Sequence, residues 1–295
     1  MKLLITGSNG FVAGSILAQA GVQWEVHGAG RTEGPNNSRP VHYHPIDLLD
    51  LEKLSLLMHS VRPDAVIHTA AIANIDFCEN HPAIAEAMNI GVTERLARLC
   101  RETGAKLVFC STDSVFDGKK GHYTESDLPV PINVYARTKV KAEQTVLAAS
   151  AKNVVARLSL VMGLPVMGKG NSFLAETLEK LKRGETVKFP ENEIRTPVDV
   201  ITLGAALNEL AENAFGGIIH LSGNTRINRY GMGRQIAEAT GFSPDLILPV
   251  NSNSLPGRAP RPDDASLDNS RARQILNTPM RSLSEGLVLT LSRTG

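Results

Sequence analysis

Leu3-Leu4-Ile5-Thr6-Gly7-Ser8-Asn9-Gly10-Phe11-Val12-Ala13-Gly14 opens the chain, and the order of residue types in it decides the fold class. A short apolar run ended by a glycine reads as a buried parallel strand. A glycine-rich turn follows, and Val12, Ile16, Leu17 and Ala20 then fall on one helical face. Strand, glycine-rich turn and helix together form the context of a dinucleotide-binding loop. Glycines let the backbone approach a pyrophosphate, and the helix N-terminus offers it free amides. Gly7, Ser8, Asn9, Gly10, Phe11 and Val12 are therefore candidate cofactor-binding residues.

Working outward, Val22 to Gly30 reads as a second strand and its exit. Arg31-Thr32 follows, an arginine and a hydroxyl suited to a ribose 2′-phosphate, so NADPH is favoured. Glu33 is close enough to keep NADH open. Residues 33–45 read as a polar, Pro/Asn-rich connection. Ile46-Asp47-Leu48 comes next, then an amphipathic helix with Leu51, Leu54, Leu57 and Met58. Asp64 to His68 is a strand ending in Thr69-Ala70-Ala71, small residues against which a cofactor could lie. His68 reads as a packed strand-end residue. From Asn89 the positions Val92, Leu96, Leu99 and Cys100 have helical spacing, with Gly104 as the C-cap. Lys106 to Cys110 is the fourth strand of this reading, and Val154 to Arg157 the next.

The alternation predicts an α/β fold, a doubly wound parallel sheet of Rossmann type over residues 1–160. Ligands bind at the carboxyl ends of such strands. Beyond Gly163 the texture changes. Gly163, Pro165, Gly168 and Gly170 suggest a flexible segment, and helices are expected over Phe173–Lys182, Val198–Asn213 and Tyr230–Thr240, with a strand over Gly217–Leu221. Residues 161–295 read mainly as a smaller substrate-binding lobe, part of 195–225 returning to the sheet.

The strand over Lys106–Cys110 delivers Ser111-Thr112 to its carboxyl end, and a helix follows with Tyr135 and Lys139 one turn apart. A lysine near a phenol favours the phenolate. Thr112 can then hold a carbonyl while Tyr135 delivers a proton. Such a device needs a hydride source, which the opening loop would bind.

The 295 residues carry a net charge of +1, which gives no reason to expect nucleic acid or an anionic membrane as partner. No apolar run is long enough to span a bilayer, and Met1 leads almost directly into the first strand, so a cytoplasmic protein is expected. Cys78, Cys100 and Cys110 lack metal-ligand spacing and read as buried thiols; no metal is expected.

These motifs converge on a family. With Ala70-Ala71-Ile72-Ala73-Asn74-Ile75-Asp76, Asn89, Ser111-Thr112-Asp113-Ser114-Val115-Phe116-Asp117-Gly118, Tyr135-x-x-x-Lys139 and Arg261-Pro262, the chain resembles the extended short-chain dehydrogenase/reductases, within them the dTDP-4-dehydrorhamnose reductase group. The resemblance implies reduction of a keto group, such as the 4-keto group of a nucleotide-linked deoxysugar. Tyr135 would be the proton donor, Lys139 would bind the nicotinamide ribose and depress the tyrosine pKa, and Thr112 would bind the substrate carbonyl. Asp47 and Leu48 would border the adenine. Ala70, Ala71 and Ile72 would line the cofactor, and Asn89 would support its neighbourhood. Asp113, Ser114, Arg195, Arg258 and Arg261 are the substrate candidates, the arginines as forks for a diphosphate. Ser114 and Leu160 stand where the group usually has aromatic side chains. A homodimer is possible. The chain also looks like the regulatory β subunit of methionine adenosyltransferase, which uses this fold to bind NADP and a partner protein. An epimerase or dehydratase is the third reading.

Overall fold

The computed structural model describes residues 1–34, 40–167, 172–254 and 256–292. Gly168 and Gly170 of the segment after Gly163 lie outside them. In chain order the elements begin with β1 (Lys2–Thr6), α1 (Phe11–Gln19), β2 (Glu25–Gly30), β3 (Val41–Pro45), α2 (Leu51–Val61) and β4 (Ala65–His68). There follow α3 (Ile75–Asn80), α4 (Pro82–Glu86), a π-helical turn (Ala87–Gly91), α5 (Val92–Thr103), β5 (Lys106–Thr112), α6 (Val134–Ala149) and β6 (Val154–Leu158). The rest comprises β7 (Val161–Met162), α7 (Phe173–Lys182), β8 (Val187–Pro190), β9 (Ile194–Arg195), β10 (Val198–Asp199), α8 (Val200–Glu212) and β11 (Gly217–Leu221). Last come β12 (Ile227–Asn228), α9 (Arg229–Ala239), β13 (Ile247–Val250), α10 (Ser270–Ile275) and α11 (Leu283–Leu291).

Seven strands form one parallel sheet in the order β11-β6-β5-β4-β1-β2-β3. Alternation along the strands builds both faces. Leu3 and Ile5, Ala65 and Ile67, Val108 and Cys110 pack with α1 and α8 through Ile16, Leu17, Leu203 and Leu207. Leu4, Val66, Leu107 and Phe109 point the other way, onto α2, α5 and α6 through Leu54, Met58, Leu96 and Val146. Each such aliphatic side chain contributes about 1.5–3 kcal/mol on burial. The chain order reverses between β1 and β4, so the crevice at their carboxyl ends is the place where such sheets bind ligands.

Three expectations need correction. Residues 41–45 are not part of a connection but strand β3, paired with β2 from Val26↔Val41 to Gly30↔Pro45. They escape the hydrophobic pattern because an edge strand is only half buried, and His42, Tyr43 and His44 sit where alternating apolar residues would signal it. The second strand starts at Glu25, not Val22, which stands almost fully exposed in a turn. The strand entering the Ser111-Thr112 pair is the fifth, and it runs on through Thr112.

A smaller core joins Met162, Leu174, Met232, Ile236, Leu283 and Leu287, with Leu181, Val187, Phe189 and Ile247 in a satellite. Three two-stranded sheets, β7–β10, β8–β13 and β9–β12, hold this part together. Among the described residues no helix is long and apolar enough to cross a membrane.

Candidate active site

Gly7 leaves β1 with φ +71°, a conformation that side chains rarely adopt, and a Cβ there would stand 3.0 Å from the Ala70 Cα. The loops after β1 and β4 can touch only because position 7 has no side chain. The Asn9 amide donates to the Thr32 carbonyl at 3.1 Å and to its hydroxyl at 2.6 Å, which ties the glycine loop to the exit of β2. The Ser8 hydroxyl is buried behind the loop without a partner. A groove of about 980 Å³ results, lined by Gly7, Asn9, Gly10, Arg31, Thr32, Asp47, Leu48, Ala70, Ala71 and Ile72. Phe77, Ile84 and Met88 from α3, α4 and the π-helical turn add an apolar wall that the sequence reading missed. Backbone approach at Gly7, small residues at 70 and 71 and an exposed cation at Arg31 fit an extended dinucleotide.

Asn89 does not reach into the groove. It is buried in the π-helical turn, accepts from the Ile72 amide at 2.8 Å, and donates to the Ile72 carbonyl and the Thr138 hydroxyl, both at 3.1 Å. It holds the cofactor-side loop against α6. His68 is likewise packed, its ring nitrogens bonded to the Thr6 and Thr93 hydroxyls, and burial holds its pKa near about 3.

A second cleft of about 520 Å³ adjoins the groove, with Ala71 in the walls of both. Thr112, Tyr135 and Lys139 meet there, together with Val12, Asp113 and Ser114. Asn133 caps α6 by accepting from the Ala136 amide at 2.8 Å, so the helix starts at Val134, just before Tyr135. One expectation fails at this point. The Lys139 ammonium donates to the Cys110 carbonyl at 2.6 Å and lies 4.2 Å above the Phe109 ring. The Tyr135 phenol is nonetheless not held below its ordinary pKa. Burial raises the Tyr135 pKa, and the neighbouring Thr112 hydroxyl only partly opposes that rise. Burial also brings Lys139 down to about 8, and Glu143 works in the opposite direction. Tyr135 is thus a protonated phenol, the form a proton donor needs.

Asp113 is buried beside this trio and accepts from the Thr112, Ser114 and Ser159 hydroxyls. Burial raises its pKa, and Arg195, with Nε 3.6 Å away, works in the opposite direction. Arg195, Arg258 and Arg261 all line the cleft, but each already faces a carboxylate. Arg258 Nη2 stands 2.9 Å from Glu193 Oε1, and Arg261 forks onto Asp76 at 2.6 and 2.7 Å. The sequence reading missed Glu193 and Arg229. Glu193 is 3% exposed and lies between Arg258 and Arg229, whose Nη1 is 3.8 Å from Glu193 Oε2. Burial lowers the Arg229 pKa. Leu160 and Ser114 line the cleft where the resemblance implied aromatic side chains.

The model of the RmlD substrate binding domain family matches residues 1–295. The chain belongs to this family. It is 33% identical over 236 residues to a dTDP-4-dehydrorhamnose reductase of Mycobacterium tuberculosis, covering 78% of this chain and 76% of that one. It is 29% identical over 291 residues to methionine adenosyltransferase 2 subunit beta of Mus musculus, covering 95% of this chain and 85% of that one. The structure superimposes with a TM-score of 0.87 and 24% identity on dTDP-4-dehydrorhamnose reductase of Bacillus anthracis solved in complex with NADP, over 99% of both chains. The fold is therefore that of the extended short-chain dehydrogenase/reductases, as the motifs implied. In this RmlD-family chain the glycine loop, the strand end at Thr112 and the first turns of α6 converge on one crevice. That arrangement can hold a dinucleotide and a carbonyl compound side by side.

Proposed function

We propose that this protein is an NADPH-preferring reductase of a keto group, the 4-keto group of a nucleotide-linked deoxysugar. One observation carries the reading: Thr112, Tyr135 and Lys139 share a cationic cleft that abuts the glycine-loop groove. Gly7, Gly10, Ala70, Ala71 and Ile72 would hold the dinucleotide, with Arg31 and Thr32 toward the 2′-phosphate and Glu33 as the feature that would admit NADH. When bound, the nicotinamide supplies hydride. The Thr112 hydroxyl orients the carbonyl, and Tyr135 delivers its proton to the developing alkoxide. The Lys139 cation favours the charge that this leaves on the phenol.

Five cationic side chains (Lys139, Arg195, Arg229, Arg258 and Arg261) and three carboxylates (Asp76, Asp113 and Glu193) line the cleft. That excess suits a diphosphate, with Arg258, Arg261 and Arg195 as its forks. The name of the Mycobacterium tuberculosis relative supports a nucleotide sugar as the substrate class. Ser114 and Leu160 make the sugar end less aromatic, so the assay needs a panel of dTDP- and UDP-linked 4-keto sugars rather than the rhamnose precursor alone.

The test is NADPH and NADH oxidation with that panel, on the native protein and Arg31→Ala. Turnover of one sugar, with an NADPH preference that falls about tenfold in the variant, supports the reading. The likeness to the methionine adenosyltransferase β subunit covers more of the chain and favours a second reading, a cofactor-binding regulatory subunit. Tight NADPH binding with no turnover of any sugar would decide for it.

A further inference from the structure

Glu143 and Arg157 carry opposite charges that the protein buries almost completely, their side chains being 4% and 2% exposed. Arg157 Nη2 donates to Glu143 Oε2 at 2.8 Å and Arg157 Nε to Oε1 at 3.1 Å. Withdrawing two ions from water costs several kcal/mol each, and a buried pair adds little net stability over an apolar one of the same volume. Stability alone does not account for the pair, but its place does. Glu143 follows Lys139 by one turn on the same face of α6. Its Oε1 also accepts from the Ser111 hydroxyl at 2.5 Å. Ser111 stands between Cys110, whose carbonyl holds the Lys139 ammonium, and Thr112. Arg157 is the register partner of Ser111 across β5 and β6. Glu143 thereby touches both arms of the trio, the helix with Tyr135 and Lys139 and the strand end with Thr112.

We propose that Glu143, clamped by Arg157, is a positioning residue that keeps Lys139 protonated and holds the Ser111-Thr112 strand end in line with Tyr135. The proposal rests on the reductase reading. Several titratable or charged groups stand around the Lys139 ammonium. They are Cys110 from β5, His68 from β4, Asp113 beyond β5, Tyr135 and Glu143 from α6, and Arg157 from β6 behind Glu143. Cys110 has a pKa of about 12 and His68 of about 3, so both are neutral at pH 7. Tyr135 is a neutral phenol, and Asp113 faces Arg195. Glu143, one helical turn from Lys139 and held by Arg157, opposes the loss of the proton that burial promotes.

Glu143→Gln keeps the side-chain volume and an acceptor for Ser111 while removing the charge. Both kcat with a 4-keto sugar and NADPH affinity are followed against pH in the native protein, Glu143→Gln and Glu143→Asp. The expected result is a descending limb moved acidward by about one unit in Glu143→Gln, a loss of about fivefold near pH 8 that grows toward tenfold at higher pH, with KM nearly constant. Glu143→Asp restores most of it. A folded Glu143→Gln protein that loses activity equally at every pH, its limb unmoved, overturns the proposal. Should the unpaired Arg157 prevent folding, the double variant Glu143→Gln/Arg157→Gln removes both buried charges and is read in the same way. If the native protein reduces no sugar, the reductase reading falls, and the pH dependence of NADPH affinity still decides the role of Glu143.

Discussion

At the residue scale the proposed reduction turns on the protonation of one phenol. Burial raises the Tyr135 pKa, and Lys139 donates to the Cys110 carbonyl. On the proposed reductase reading Tyr135 would therefore enter the reaction as an acid, with no need to be a phenolate first. Tyr135→Phe removes the proton and keeps the ring, so kcat is expected to fall about 10²–10⁴-fold. NADPH affinity, set by the glycine loop and groove, should stay within about twofold of native, because the lost hydroxyl is one polar contact beside many. Stopped-flow hydride transfer and a fluorescence titration of NADPH measure the two, and hydride transfer that survives the change removes Tyr135 from the donor role. Thr112, Tyr135 and Lys139 were legible in the sequence because their signals are local: a strand end, and two residues one helical turn apart. Glu193 and Arg229 were not. Their meaning lies in a meeting of positions 193, 229 and 258 across β9, the start of α9 and a proline-rich loop, and no local periodicity encodes that meeting.

At the scale of elements, the π-helical turn at Ala87–Gly91 does what a continuous α-helix would not. It brings the Asn89 side chain to Ile72 and Thr138 at once, bracing the loop after β4 against α6. A spacing of apolar residues from Val92 onward shows the helix but not the extra residue in the turn before it. The same limit hid β3, whose side chains His42, Tyr43 and His44 give an edge strand a polar signature. Strands buried on both faces, such as β1, β4 and β5, announced themselves as apolar runs. Asn89→Ala would leave the Ile72 amide and carbonyl without these partners inside the protein. A loss of about 1–3 kcal/mol of stability is expected from the unmet Ile72 amide, since the Ile72 carbonyl keeps the Cys78 thiol as a donor at 3.3 Å, with a several-fold rise in the NADPH dissociation constant as the loop loosens. Denaturant unfolding and the same fluorescence titration check it, and a variant as stable as native with unchanged NADPH affinity would deny Asn89 the bracing role.

For the whole molecule, the expected return of part of 195–225 to the sheet is made by β11, but the contacts that seat the last third of the chain were not legible. Helix α8 packs on α1, and β11 extends the sheet beyond β6, while Glu125 accepts from the His220 amide on β11 at 2.9 Å. These contacts join residues that lie 63 positions apart in the β6–β11 register and 95 apart at Glu125 and His220, and periodicity is silent about them. The return buries His220 beside Phe116 and Tyr123, just as the centre of the sheet buries His68, and this makes stability depend on pH in a definite window. Burial lowers both folded pKa values to about 3 from an ordinary value of 6.5. Below about pH 6.5 the unfolded chain takes up protons that the folded chain refuses, so stability falls as the pH falls toward 3 and is indifferent to these groups above 6.5. Each histidine accounts for about 2 kcal/mol between pH 7 and pH 5, at roughly 1.4 kcal/mol per pH unit once below the unfolded pKa. Most carboxylates titrate lower, which leaves this interval to the histidines. Replacing His220 by Gln should therefore reduce the drop in unfolding free energy between pH 7 and pH 5 by about 2 kcal/mol, whatever it does to stability at pH 7 itself. Guanidinium titrations of native and His220→Gln protein at the two pH values give the four numbers needed, and equal drops in both proteins would mean that His220 is not held neutral by the fold.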